Sequence, residues 1–268
     1  MTHRLLYKHS LTLAVFLPLL WGCAHFKYQG DVSSTNFVVA ESFTYTLKAG
    51  TIKAIRLEAI NGTVWFNGRS RTDSIRIEGE KRVGSESTQD AIDYLSRLQA
   101  ALYEQPDYLL VRTEQPGDNR GRLLEVDYVI TFPDSLNLDL SAVNGHVTID
   151  SLQANLAITH INGTITLRSI KGSVAVSVVN GSIIGDICIP RQGVISHSVV
   201  NGNIDLTIPD TTSAQLAAAI TNGQIAWIGL SPVEMEETAT RLTATLGTGS
   251  GQINLQTVNG TIQITGRR

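Results

Sequence analysis

Apolar residues follow a nine-residue rhythm through the middle of the chain: Val147, Ile149, Leu152; Leu156, Ile158, Ile161; Ile165, Leu167, Ile170; Val174, Val176, Val179. The same spelling returns at Ile225, Trp227, Leu230 and at Ile253, Leu255, Val258. A step of two marks a strand with one buried face, because successive strand side chains point to opposite sides. The step of three that follows breaks this parity. Over the same stretch Asn-Gly recurs, at Asn61-Gly62, Asn144-Gly145, Asn162-Gly163, Asn180-Gly181, Asn201-Gly202, Asn222-Gly223 and Asn259-Gly260. A polar residue follows each Gly (Thr63, His146, Thr164, Ser182, Asn203, Gln224, Thr261), and then a β-branched apolar one (Val64, Val147, Ile165, Ile183, Ile204, Ile225, Ile262).

Asn-Gly between alternating apolar runs is also a hairpin signal. In an antiparallel array, parity runs unbroken from turn to turn. Leu152, Ile161 and Ile170 would then face solvent unless every strand carried a bulge. A chain that bends through a corner after each short strand turns all three inward. Two such strands make a turn of about 18 residues, and turns of this kind stack in parallel as a β-solenoid. Gly, with Asn beside it, suits corners that need positive φ. The pattern therefore predicts a mainly β chain whose residues 141–268 form a parallel β-solenoid with these Asn-Gly pairs as structural turns. An antiparallel β-sandwich or barrel is the alternative. Backbone pairing separates the two: a solenoid pairs Ile183 with the strands of Ile165 and Ile204, a hairpin pairs it with Val178. In the solenoid Gly163, Gly181 and Gly202 have positive φ and stack.

Residues 37–140 read as a β region without the nine-residue regularity, with strands expected near 42–48, 53–59, 74–79, 108–113 and 124–132. One helix interrupts them, over about 88–104, capped by Ser87, with Ile92, Leu95, Leu98 and Leu102 as its apolar stripe before Pro106. That stripe reads as core packing. Residues 231–247 insert between regular repeats.

The N-terminus reads as an address. Arg4 and Lys8 precede an apolar run from Leu11 to Trp21, about half of the roughly 20 residues a membrane-spanning helix needs. This is a secretory signal peptide over 1–22. It ends Leu20-Trp21-Gly22-Cys23, which resembles the lipobox of bacterial lipoproteins; Trp21 departs from the usual small residue. The resemblance makes Cys23 the lipidated N-terminus and the membrane the partner of its acyl chains, two or three being needed for a stable anchor. Residues 23–36 are then lipidated N-terminus and tether. Ala24, where retention in the inner membrane usually shows Asp, favours the outer membrane. The other cysteine, Cys188, is expected to be a small buried hydrophobe in a strand.

Composition adds exclusions. The chain is 42% hydrophobic and 17% charged, the make-up of a folded protein. Its formal charge of −3 becomes −5 without Arg4 and Lys8; no basic patch stands out, which argues against a nucleic-acid partner. His146, His160 and His197 occupy three different columns relative to the nearest Asn-Gly and are read as isolated turn or surface residues rather than metal ligands. Glu234, Glu236 and Glu237 read as a solvated acidic loop, since no EF-hand or calcium-binding β-roll motif accompanies them. Asp150, Arg168 and Asp186 share one column and are expected to form an ion-pair ladder, not a catalytic pair. Trp65 and the run Trp227-Ile228-Gly229-Leu230 are read as covers for an open solenoid end, or else as a partner patch. No catalytic, cofactor or metal motif is found.

A strand with Val126, Tyr128, Ile130 and Pro133, entered after a β region and a short helix and followed by the Asn-Gly series and GSGQINLQTVNGTIQI, resembles the adhesin-like family of domains of unknown function (the DUF4097 type). The resemblance covers about residues 37–266. It implies a solenoid-like, envelope-facing domain with no established catalytic residues and no defined ligand. The leading expectation is a non-enzymatic, lipid-anchored envelope protein whose rigid surface binds an envelope protein or polysaccharide. A self-assembling envelope scaffold, pairing strand edges between copies, and a carbohydrate-active β-helix enzyme are the alternatives.

Overall fold

The computed structural model describes residues 29–30, 37–119 and 121–268. The expected signal peptide, Cys23 and the expected tether up to Asn36, apart from the short strand Gln29–Gly30, lie outside the described residues.

Backbone pairing selects the solenoid. Ile183 lies in parallel register with Ile165 on one side and Ile204 on the other. Each layer has two strands joined at an Asn-Gly corner. The strand before the corner belongs to one face of the solenoid and the strand after it to the other. The first layer is Ala54–Asn61 with Val64–Arg69. Directly above it lie Asn137–Asn144 and Val147–Leu152, with Ile55 paired to Leu138 and Val64 to Val147. The stack therefore begins before residue 141, and the division drawn at 140/141 falls inside one continuous sheet. Leu156–Ile170, Val174–Ile187 and Val194–Pro209 add the next layers.

Sequence order then fails. The last strand, Gly251–Arg267, pairs on one side with Val194–Asn201 and Ile204–Pro209, and on the other with Ala214–Ile228. The chain leaves one slot empty, lays down Ala214–Ile228 beyond it, makes the hairpin Pro232–Glu237 and Arg241–Leu246, and returns to fill the slot. The second strand of that hairpin pairs antiparallel with Ala214–Ala219 and the first lies outside it, so the segment 231–247 extends one face at the C-terminal end.

At the other end the layers continue as Leu123–Pro133 on one face and Tyr108–Glu114 on the other, both parallel to the first layer. Antiparallel strands finish each face: Ser74–Ser85 and Phe37–Lys48 on the first, Gln99–Glu104 on the second. The helix is Thr88–Leu95, capped by Ser87, whose side chain accepts from the Asp90 amide, and it packs on Phe37–Lys48 and Ser74–Ser85. It stops eight residues into the expected span. Leu98 still reaches the core and Leu102 packs against it, but from a turn and a strand, and Ile92 is exposed.

The core is a set of aliphatic columns, one residue per layer: Val147, Ile165, Ile183, Ile204 and Ile262 are all fully buried. The nine-residue rhythm is correct on one side of the layer only. After Ile149 and Leu167 the step of three does bring Leu152 and Ile170 inside, because Ser151 and Ser169 adopt positive φ (62° and 55°) and absorb the extra residue. Before the Asn-Gly corner there is no such residue. Parity runs on through Leu156, Ile158 and His160, and Ile161, Val179 and Val258 point outward, about 40% exposed.

Candidate functional site: the stacked corner and its two faces

Every Asn-Gly Gly has positive φ, from 126° at Gly62 to 150° at Gly260, a region closed to residues with a Cβ. Stacking adds a second reason for Gly. A Cβ on Gly145, Gly163, Gly181, Gly202, Gly223 or Gly260 would lie 1.6–1.9 Å from the carbonyl oxygen of the Gly in the layer below. The Asn side chains form a ladder beside them. Asn144 donates to Asn61, Asn162 to Asn144, Asn180 to Asn162, Asn201 to Asn180, Asn259 to Asn201 and Asn222 to Asn259, at 2.7–2.9 Å.

At the N-terminal end this ladder is closed by the strand that carries Val126, Tyr128, Ile130 and Pro133. Asn61 Nδ2 donates to the Leu124 carbonyl (2.9 Å), the Val126 carbonyl lies against Gly62, and Asp127 accepts from the Thr63 amide and hydroxyl. Arg82 holds Asp127, Glu125 and Glu80. Its burial alone would lower the guanidinium pKa, but the hydrogen bonds it donates to these carboxylates outweigh that and raise it. Tyr128 hydrogen-bonds Thr113 (2.8 Å) in the core, and burial pushes its phenol up to about 12. These groups brace the end of the stack.

The two outer faces differ in chemistry. On the strands before the corner, five consecutive layers present Ala157 and Thr159, Ala175 and Ser177, Ser196 and Ser198, Asn254 and Gln256, Ala217 and Ala219. None is charged. Ile161, Val179, Val200 and Val258 continue this face to the corner as an exposed aliphatic row. The opposite face carries Asp150, Arg168, Asp186 and Asp205 among Thr148, Thr166, Ile184 and Thr207. Asp150 and Arg168 are register partners, as expected, but the ladder does not extend. The register shifts between Leu167 and Ile170, and Asp186 pairs instead with Arg267 at 2.8 Å. Trp65 projects outward from this face beside Thr148.

Two of the three histidines are in the core, contrary to the surface reading. His160 is 1% exposed, with Nδ1 3.2 Å from the Ala142 carbonyl and Nε2 3.1 Å from that of Gly145. Thr257, farther up the same corner column, makes the equivalent contact by donating to the Gly202 carbonyl. His197 is also 1% exposed, between Val176 and Leu255, and neither ring nitrogen has a partner among the described residues. Gly185, standing where Leu167 and Leu206 stand in adjacent layers, makes room for the ring; a Cβ there would already touch it at 3.6 Å. Burial pushes the His197 imidazole down to about 4. His146 is exposed just past its Gly. Both core histidines kept strand-inward parity and could have been found from it.

Elsewhere, Cys188 is half-buried just past the strand end rather than inside it, and lines a groove of about 280 Å³ with Pro190, Arg191, Thr212 and Ser213. Trp227 and Leu230 close the C-terminal end of the core with Leu216, Met235 and Leu242, and Trp227 Nε1 lies 3.4 Å from Glu237. The remaining glutamates of that hairpin are exposed. Among the described residues no helix is long and apolar enough to cross a membrane.

Similar proteins are known. Among solved structures, a provisionally named cell adhesion protein from Clostridium sporogenes is 11% identical, with 85% of this chain and 100% of that chain covered and a TM-score of 0.48. Provisionally named adhesins from Parabacteroides merdae (12% identical, 83% and 95% covered, TM-score 0.27) and Bacteroides fragilis (10%, 85% and 97%, 0.25) are also similar. No match is found among curated proteins. The model of the Toastrack DUF4097 family matches residues 28–265. With nearly the whole stack inside that match, the chain belongs to the Toastrack DUF4097 family.

Proposed function

We propose that this protein is a non-enzymatic, lipid-anchored lipoprotein of the cell envelope, held through Cys23, and that it binds an envelope polysaccharide or protein with the uncharged face of its solenoid. The observation that carries the reading is the difference between the faces. Five layers, each about 4.8 Å above the last, offer only neutral side chains from Ala157 to Ala219, small in every layer except that of Asn254 and Gln256, next to an aliphatic row. Small side chains on a parallel sheet lose little rotamer entropy when covered, and no charge has to be desolvated. Such a surface suits weak contacts repeated along a regular partner. The opposite face, with Asp150, Arg168 and Asp186, lacks this property.

The experiment is site-specific photo-crosslinking in intact cells, from position 177 on the neutral face and from position 166 on the charged one. Adducts to an envelope polymer or protein are expected from 177 only. Equal adducts from both, or adducts from 166 alone, reject the assignment of the face. The anchor is tested separately: Cys23→Ser should release a folded protein from the membrane fraction. Full retention with an uncleaved leader would mean that Cys23 is not the anchor.

A further inference from the structure

The two ends of the Asn-Gly stack are not equivalent. At the N-terminal end the strand Leu123–Pro133 covers it, from the Leu124 carbonyl on Asn61 to Asp127 on Thr63. At the C-terminal end the covering hairpin reaches only a portion of the last layer. It pairs with Ala214–Ala219, and the last bond is from the Ile220 amide to the Thr240 carbonyl at 2.9 Å. Among the described residues, the strand from Asn222 to Ile228 is paired on one side alone, with Asn259–Thr265.

Lower layers show what belongs on the other side. Gly62, Gly145 and Gly202 each donate their amide to the Asn carbonyl of the next layer (Asn144, Asn162, Asn259) at 2.8–3.2 Å. Val64 and Ile183 donate to His146 and Asn203, both at 2.9 Å. Gly223 and Ile225 are the equivalents in the last layer, and among the described residues no layer lies above them. The Asn ladder likewise ends on Asn222, whose Nδ2 is used on Asn259 and whose Oδ1 is the next acceptor in the series. Beside this edge Ile228 is 62% and Val233 70% exposed, with Met235 also exposed. An open edge with apolar neighbours and no Lys or Pro in its strand is a template for strand addition.

We infer that the edge Asn222–Ile228 receives one further layer from another polypeptide: an extended segment with its own Asn-Gly, running parallel to the edge and carrying a β-branched residue two positions after its Gly. The Asn is called for by the Asn222 acceptor. The Gly is called for by the Gly223 carbonyl, since at each lower step a Cβ would come within 1.9 Å of the oxygen beneath. A second copy of this chain is a poor donor. Its Asn-Gly corners are already stacked, and the outermost one, Asn61-Gly62, is covered by Leu124–Asp127. Glu234, Glu236 and Glu237 are exposed at the same end, so the incoming segment carries Lys or Arg nearby. This inference concerns the end of the solenoid and is independent of the neutral face.

The probe is a synthetic peptide of residues 257–264 (TVNGTIQI) with a lysine at each end, added to the purified full chain. Amide hydrogen exchange over 222–228 should slow about tenfold or more at saturation, an effect of the order that a tenfold affinity ratio represents. The same peptide with Gly260→Ala should bind at least about tenfold more weakly, and lysine-to-glutamate replacement at its ends should weaken it at low salt. Three outcomes overturn the proposal: the Ala peptide binds as well as the Gly peptide; protection appears on the neutral face and not at 222–228; or the chain alone self-associates with concentration and protects 222–228, which would make a second copy the occupant.

Discussion

Gly181 carries two constraints at once, a φ of 149° and a Gly163 carbonyl 1.7 Å from where a Cβ would stand. Gly181→Ala cannot be relieved by a rotamer change, because the obstacle is backbone. We expect a loss of about 2–5 kcal/mol, backbone strain plus local overpacking, read as a lowered denaturant midpoint. A wild-type midpoint would mean that the layers can separate freely at the corner. His197 is the other informative residue. Its folded pKa, about 4, lies below the ordinary 6.5, so between these values the unfolded chain takes up a proton that the folded chain refuses. Stability is therefore complete above about pH 6.5 and falls as pH drops toward 4, at about 1.4 kcal/mol per pH unit and some 3 kcal/mol in all. His197→Leu, which also fits the space left by Gly185, should lack this component. The stability of the variant relative to wild type should rise by about 3 kcal/mol from pH 7 to pH 4. A constant difference would show that His197 does not titrate in this window.

At the scale of the element, the layers that contain Ser151 and Ser169 have two unlike corners. Asn-Gly makes one. The other turns on a single residue in the left-handed region, Ser151 or Ser169, which costs about 1–2 kcal/mol for a residue with a Cβ. Ser169→Gly relieves that strain but loosens the unfolded chain by about 0.5–1 kcal/mol, so near-neutral stability is expected. Ser169→Val should cost more than about 1 kcal/mol, because a β-branched residue resists this conformation. Thermal unfolding of the pair tests it; equal melting temperatures would remove the left-handed serine as the cause of the step of three. The helix shows a different limit of local reading. Leu98 and Leu102 fit helical spacing after Ile92 and Leu95, yet the helix ends at Leu95 because Gln99–Glu104 pairs antiparallel with Tyr108–Glu114. In that pairing Ala100 is buried and Leu102 packs against the core, so tertiary burial overrides the helical spacing.

For the molecule as a whole, the C-terminal strand is the keystone of an out-of-order stack. Gly251–Arg267 supplies Ile253, Leu255, Ile262 and Ile264 to the core and pairs with neighbours on both sides. A chain ending at residue 250 would lose those four side chains, each contributing about 1.5–3 kcal/mol of burial. It would also open the edges of Val194–Pro209 and Ala214–Ile228. We expect the truncated chain to aggregate or swap strands, giving concentration-dependent sedimentation, while the full chain does not sediment in this way through the slot. A monomeric, cooperatively folded truncation would show that the slot closes without this strand.

What the residues determined unaided was local and repetitive. The Asn-Gly corners, the parallel stacking and the inward Ile columns follow from glycine's access to positive φ and from strand parity, and both act within a few residues. The inward path of Leu152 and Ile170 was legible for the same reason. Other features required the third dimension. The serine corner differs from the Asn-Gly corner, so one nine-residue rule placed Ile161 and Val179 on the wrong side. His160 and His197 are inside because Gly145 offers a carbonyl acceptor and Gly185 offers space, each from another layer. Asp186 left the Asp150 column for Arg267, 81 residues away. The insertion of the last strand between two earlier ones could not be read from the repeat, because every layer presents nearly the same Asn, Gly and Ile to its neighbours. Identical edges make every order of stacking locally acceptable; only the hairpin's reach and the slot left beside Val194–Pro209 select one.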